Sequence, residues 1–195
     1  MRRRTALQAL AAGLAGATAG CVGGGSPADA TTDPTRQVRE AVSVQAQAIS
    51  FEQLSTDGVA LDVAVLVRNG SPLPVPVNRV DYTVEYPAAD ERLTFARGHR
   101  SGCEPVAVDD GSLADYLQNE GVPCGGSDGV VVAPGDERHV RLTCTPQTDA
   151  HRRVARRVVS AADDLVAVTV DGEATLLNGV VEKSFSQRRI VRVSD

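Results

Sequence analysis

The sequence predicts an all-β protein, an antiparallel β-sandwich of about seven strands with one late helix, preceded by a signal peptide and a disordered tether. Three observations lead there. From Val59 to Tyr86, apolar and polar residues alternate with a period of two along two successive stretches, the pattern of half-buried strands. Aromatic residues make up only 3% of the chain and Trp is absent, so the core must come from Val, Leu, Ile and Ala, a set that suits sheets. Turn signals built on Gly, Pro, Asn and Asp recur between the apolar stretches, and only one stretch carries a helical period.

In chain order, Val42 to Phe51 reads as a first strand and Val59 to Val67 as a second, with Val59, Leu61, Val63, Val65 and Val67 on one face. Asn69 and Gly70 tolerate positive φ, while Pro72, Pro74 and Pro76 forbid helix and remove backbone donors. The chain is therefore expected to turn there and run extended along a sheet edge. Val80, Tyr82, Val84 and Tyr86 mark the next strand, and Arg92 to Gly98 a short fourth. Val130 to Val132 and His139 to Cys144, joined by Pro134, Gly135 and Asp136, read as a hairpin-like unit. Thr148 to Ala161 is the one helix: Thr148 or Asp149 can cap it, and Val154, Val158 and Ala161 share a face. Leu165 to Val170 and Ala174 to Leu177 flank Asp171-Gly172, a hairpin turn signal, and Glu182 to Val193 is the last strand.

A chain of 195 residues, 42% hydrophobic, holds one domain plus a tail. Residues 1–21 read as an export signal, with a basic start, an apolar run from Leu7 to Ala17 too short to span a bilayer, and small residues before Cys21. Arg3 and Arg4 followed by Thr5, Ala6 and Leu7 resemble a twin-arginine export motif. Thr18 to Cys21 resembles a lipobox, in which Cys21 becomes the lipidated first residue, as in haloarchaeal and bacterial lipoproteins. Residues 22–41, beginning with Gly23, Gly24 and Gly25, are expected to be a flexible tether, and 42–195 the folded domain. This organisation places the protein outside the cell, on the outer face of the cytoplasmic membrane, with the membrane as its partner through Cys21.

The formal net charge is -5, and -8 once Arg2, Arg3 and Arg4 leave with the leader, a balance that excludes nucleic acid as a partner. Lys183 is the single lysine. This arginine bias fits a GC-rich genome or an organism tolerant of high salt.

The order of strands and turns resembles the WHy domain (water stress and hypersensitive response), the folded branch of the late embryogenesis abundant proteins. The matching residues are Ile49-Ser50-Phe51, the Val59 to Val67 strand, Asn69, Leu73-Pro74-Val75, Val80-Asp81-Tyr82, Val132-Ala133-Pro134-Gly135, Val170 to Ala174, and Phe185. Asn69, Pro72 and Pro74 form the family turn motif, here with Gly70 and Ser71 between the asparagine and the proline. Residues 100–128 are an insertion beyond the family's usual connection. The resemblance implies a non-catalytic role in desiccation or osmotic stress, with contact to other proteins or lipid surfaces and no cofactor.

Cys103 and Cys124 bracket the insertion, and an exported chain keeps disulfides. A bridge between them would close a loop of about 20 residues and contribute about 3 kcal/mol. Cys124 with Cys144 is the rival pairing; otherwise Cys144 is a buried thiol beside Leu142. His99, Cys103, Cys124 and His139 are zinc-ligand types but lack a Cys-x-x-Cys spacing, so no metal site is expected. No Gly-x-Ser-x-Gly elbow presents a nucleophile, and no catalytic residue is assigned. Arg152, Arg153, Arg156 and Arg157 load one side of the helix; a solvated face explains them, and acidic lipid head groups are the functional alternative. Asn69-Gly70-Ser71 is also a glycosylation sequon, although the turn already accounts for Asn69.

Overall fold

The computed structural model describes residues 34–55, 58–88, 91–105, 124, 129–161 and 165–192. In chain order these form α1 (Pro34–Ala41), β1 (Val42–Ser55), β2 (Gly58–Asn69), β3 (Val75–Ala88), β4 (Glu91–Ser101), β5 (Val130–Val132), β6 (Glu137–Cys144), α2 (Asp149–Ala161), β7 (Leu165–Leu176) and β8 (Val181–Arg192). Two antiparallel sheets face each other. Sheet A has the order β1-β2-β6; sheet B has the order β4-β3-β7-β8, with β5 also paired to β3. The all-β sandwich expected from the alternation is the fold observed.

The inward faces supply the valine core. Val63, Val65 and Val67 of β2 oppose Val80 and Val84 of β3 and Val168 and Val170 of β7, all essentially without exposure. These β-branched residues stand off a pleated surface with little rotamer freedom to lose, so burial is gained at low entropic cost. The few aromatics tie the layers together. Phe51 of β1 meets Phe95 of β4 edge to face, with ring centroids 6.0 Å apart. Across sheet B, the register places Gly98, Tyr82, Gly172 and Phe185 in one row of alternating small and large residues. A Cβ on Gly98 would lie 2.8 Å from the Tyr82 hydroxyl, and one on Gly172 would lie 2.3 Å from Phe185 Cζ. Each aromatic therefore uses the space a side chain would take on the neighbouring strand.

The turn from β7 to β8 holds Leu177, Asn178 and Gly179 at φ of 51°, 56° and 84°. The left-handed region costs a leucine about 1–2 kcal/mol. Leu177 is 1% exposed, so its buried side chain, worth about 1.5–3 kcal/mol, offsets that strain.

Several expectations are corrected. Residues 34–41 are helical and not part of the tether: Val38 is fully buried, and Ala41 O accepts a hydrogen bond from Gly70 N at 3.0 Å. The described domain thus already includes residues ahead of Val42, and among the described residues α2 is the second of two helices. Neither the Asn69 turn nor the Gly135 turn closes a hairpin. β2 and β6 lie in sheet A while β3 and β5 lie in sheet B, so both turns carry the chain between sheets. Nor is β3 an edge strand, since it pairs with β4 and β5 on one side and β7 on the other. Pro76 is tolerated because its carbonyl accepts from Leu177 N just past the end of the β7 ladder, on the side where its missing N–H would point. Asp171-Gly172 is not a turn. Both residues sit inside β7, where Asp171 pairs with Thr83 and Gly172 with Tyr82.

Arg100 and Ser101, placed at the start of the insertion, belong to β4. Of the rest of 100–128, residues 106–123 and 125–128 lie outside the described residues, as do the export signal with Arg3 and Arg4, Cys21, and residues 22–33.

Candidate functional site

At one end of the sandwich the two inter-sheet turns meet on Asn69, which is 1% exposed. Its Nδ2 donates to Leu73 O at 2.7 Å and to Val132 O at 2.9 Å. Its Oδ1 accepts from Ser71 N at 2.9 Å and from Ser71 Oγ at 2.6 Å. Its main chain completes the junction, with Asn69 N donating to Asp136 O at 3.0 Å and Asn69 O accepting from Gly135 N at 2.8 Å. The three matched elements, Asn69, Leu73-Pro74-Val75 and Val132-Ala133-Pro134-Gly135, are thus one hydrogen-bonded unit. This side chain has no capacity left for a glycan. Pro72 is exposed and Pro74 half-buried on the outside of the same turn.

Cys103 and Cys124 are joined by a disulfide, and Cys144 is a buried free thiol. Cys103 is fixed by a break in the β3–β7 register between Val77 and Arg79. Cys103 N donates to Val77 O at 2.8 Å, and Asn78 Nδ2 donates to Cys103 O at 2.9 Å. The bridge therefore holds Cys124 against β3, a strand paired on both sides.

The outer face of sheet B carries a shallow depression of about 340 Å³ around the main chain of Tyr82. Its rim is formed by Asp81 and Thr83 of β3, Arg97 of β4, and Asp171 and Glu173 of β7. Arg97 Nε donates to Thr83 Oγ1 at 3.4 Å. Asp81 accepts two bonds of 2.7 Å from the Arg79 guanidinium, which holds its carboxyl below the usual carboxylate range. Among the described residues Asp171 and Glu173 have neither an ion-pair nor a side-chain hydrogen-bond partner. This polar surface escaped the sequence reading because Asp171-Gly172 looks like a turn. The alternation of Ala167, Thr169, Asp171, Glu173 and Thr175 was the signal that could have revealed it.

Under that face, the Tyr82 hydroxyl donates to Thr143 O at 3.4 Å across the sandwich. Burial first, and then the neighbouring Cys144, push the Tyr82 phenol up to about 12; burial first also raises the Cys144 thiol to about 12. Both are neutral at physiological pH, so the pair is core packing and not an activated nucleophile.

The remaining candidates do not converge. His139 lies on the outer face of sheet A, 3.1 Å from Gln47 Oε1, and His99 lies on sheet B opposite Asp81. Among the described residues no group of three or more His, Cys, Asp or Glu could hold a metal ion. On α2, Thr148 is the cap, its Oγ1 accepting from His151 N at 3.1 Å. Arg152 pairs with Asp149 at 2.6 Å, while Arg153, Arg156 and Arg157 are exposed without an ion pair among the described residues. Among the described residues no helix is long and apolar enough to cross a membrane.

No protein-family model matches the sequence, and no curated protein is similar to it. Among solved structures, the chain is similar to that of a late embryogenesis abundant (LEA) protein, At2g46140.1. The TM-score is 0.50 at 12% identity, over 78% of this chain and 71% of that one. A protein from Archaeoglobus fulgidus is similar at a TM-score of 0.43 and 15% identity, over 76% of this chain and 91% of that one. AT1g01470 from Arabidopsis thaliana is similar at 0.43 and 11%, over 75% and 78%. At 12% identity what is shared with At2g46140.1 is the fold, a LEA-like sandwich.

Proposed function

We propose that the protein is a membrane-tethered, extracytoplasmic module of the WHy type that protects other macromolecules by surface contact during desiccation or osmotic stress, without catalysis. The observation that carries this reading is the Asn69 junction. Three of the stretches on which the family resemblance rests, Asn69, Leu73-Pro74-Val75 and Val132-Ala133-Pro134-Gly135, meet there and link the two sheets. The outer faces suit contact better than capture, since the depression on sheet B is shallow, open and mixed in charge. The leader and Cys21 supply the location.

Drying a labile enzyme with the purified protein tests the role. Recovered activity should exceed that given by an unrelated acidic β-sandwich at equal mass; equal recovery would remove the protective role while leaving the fold untouched. Mass spectrometry of the membrane-extracted chain tests the anchor, the expected product beginning at a lipid-modified Cys21.

A second reading is favoured by the way Cys103 is fixed to β3. A segment closed by a disulfide on a strand paired on both sides suits a lipoprotein that binds a solute or protein through 100–128. Co-purification from the cell surface should then recover a partner with the intact chain and not with a chain lacking residues 105–122.

A further inference from the structure

Three large apolar side chains stand out as exposed among the described residues, and two of them lie diagonally across the β7–β8 ladder: Leu165 at 58% and Ile190 at 71%. Scattered apolar residues on a surface are ordinary, whereas adjacent ones mark a contact. The register of β7 with β8 shows what surrounds them. Leu165 is opposite Arg192, Ala167 opposite Ile190, Thr169 opposite Arg188, Asp171 opposite Ser186, Glu173 opposite Ser184 and Thr175 opposite Glu182. All twelve residues alternate onto the outer face of sheet B, away from Val166, Val168, Val170 and Val191 in the core. One end of this ladder is therefore apolar and basic, and the other end is small, hydroxylated and acidic. Arg188, Arg192, Asp171 and Glu182 have no ion-pair partner among the described residues.

We propose that this face is a self-association surface, on which the β7–β8 ladder of one copy stacks on that of a second copy with strands antiparallel about a two-fold axis between the Thr169 and Asp171 rows. Stacked sheets lie about 10 Å apart, close enough for side chains from both to meet. The two-fold puts Arg192 over the partner's Glu182 and Ile190 over the partner's Ser184, with Arg188 beside the partner's Asp171. The small serines leave room for the isoleucine and for the arginine stem. Parallel stacking is disfavoured by the same ladder, because it would set Arg192 over the partner's Leu165 and Glu182 over the partner's Thr175, gathering the arginines of both copies at one end and the carboxylates at the other. By symmetry every favourable pair occurs twice, as an isologous interface requires.

The test is sedimentation of the purified full chain over a concentration series at low and high salt. A monomer–dimer equilibrium is expected, and it should weaken at about 1 M salt, where the Debye length falls to about 3 Å. Arg192→Glu and Glu182→Arg, each alone, set like charges face to face twice per dimer and should raise the dimer Kd at least tenfold. The two changes combined should restore it. Ile190→Asp, at a position already mostly exposed, gives a second reading that does not depend on the charge pair and should also dissociate the dimer. A chain that stays monomeric at millimolar concentration, a dimer indifferent to these variants, or single variants that the combination fails to rescue overturns the proposal. So does a monomer whose patch is occupied by lipid or by another protein.

Discussion

Asn69 of β2 and Val132 of β5 belong to different sheets, and the Asn69 Nδ2 donates to the Val132 carbonyl across 2.9 Å. That bond, with the three other contacts of the same side chain, fixes where two chain crossings meet. Asn69→Ala removes both donors and the acceptor at once. It leaves the Val132 carbonyl and the N–H of Ser71 buried without these partners, while the Leu73 carbonyl keeps the Ser71 hydroxyl at 3.1 Å. An unsatisfied buried group costs about 1–3 kcal/mol, so the variant should lose at least about 2 kcal/mol in urea unfolding. Pro72→Ala, at an exposed position of the same turn, should change stability by less than about 1 kcal/mol. Equal effects of the two would show that the junction is not the keystone described.

Gly172 supplies the next prediction. If Asp171-Gly172 were a turn, an alanine there would be tolerated. Inside β7 its Cβ would lie 2.3 Å from Phe185 Cζ and 2.5 Å from the Asp81 carbonyl oxygen. Gly172→Ala should therefore destabilise by about 1–3 kcal/mol, as overpacking does, and lower Tm by several degrees. Phe185→Leu should relieve only part of that loss, because the Asp81 main chain cannot withdraw. Full rescue by Phe185→Leu would mean that the backbone contact is unimportant.

These two sites also show how far the sequence could be read. The period of two exposed β2, β3 and β6 directly, because the inward face of each is apolar and the alternation survives, even though Ala60 and Leu66 on the other face of β2 are buried as well. Asn69 was visible as a turn residue, but its bond to Val132 spans 63 positions and no local pattern records it. α1 was missed because eight residues carrying one fully buried side chain, Val38, are too few to show a helical period. Asp171-Gly172 misled for a physical reason. The glycine serves the Phe185 ring two sheet positions from Tyr82, and a glycine needed for packing looks the same in sequence as one needed for positive φ. Which sheet each strand joins was likewise hidden, since a turn of a few residues can close a hairpin or cross a sandwich.

Removing the Cys103–Cys124 bridge tests whether the loop it closes contributes to the domain. The chain-entropy model gives about 3 kcal/mol for a loop of this length. The Cys103→Ser, Cys124→Ser double variant should lose that amount in denaturant unfolding with little change in the native strand signal, because Cys103 N still bonds to Val77 O. A larger loss, accompanied by a lower slope with denaturant, would indicate that the bridge shapes the native sheet as well as restricting the unfolded chain.

The Tyr82 and Cys144 pair predicts the alkaline limit of the fold. Both groups are acids whose folded values are raised to about 12, Tyr82 from 10.0 and Cys144 from 9.0, chiefly by burial. A raised acid favours the folded state fully below its unfolded value, and that contribution is lost as pH rises toward the folded one. Stability should hold to about pH 9, then fall by up to about 1.4 kcal/mol per pH unit from Cys144, and more steeply above about pH 10 as Tyr82 joins. Cys144→Ala should remove the first part of that slope, at the cost of a small cavity, and Tyr82→Phe the second. Unfolding free energies measured between pH 7 and 11 decide it: a slope that begins near pH 9 in the parent and survives unchanged in Cys144→Ala would exclude the thiol as its source.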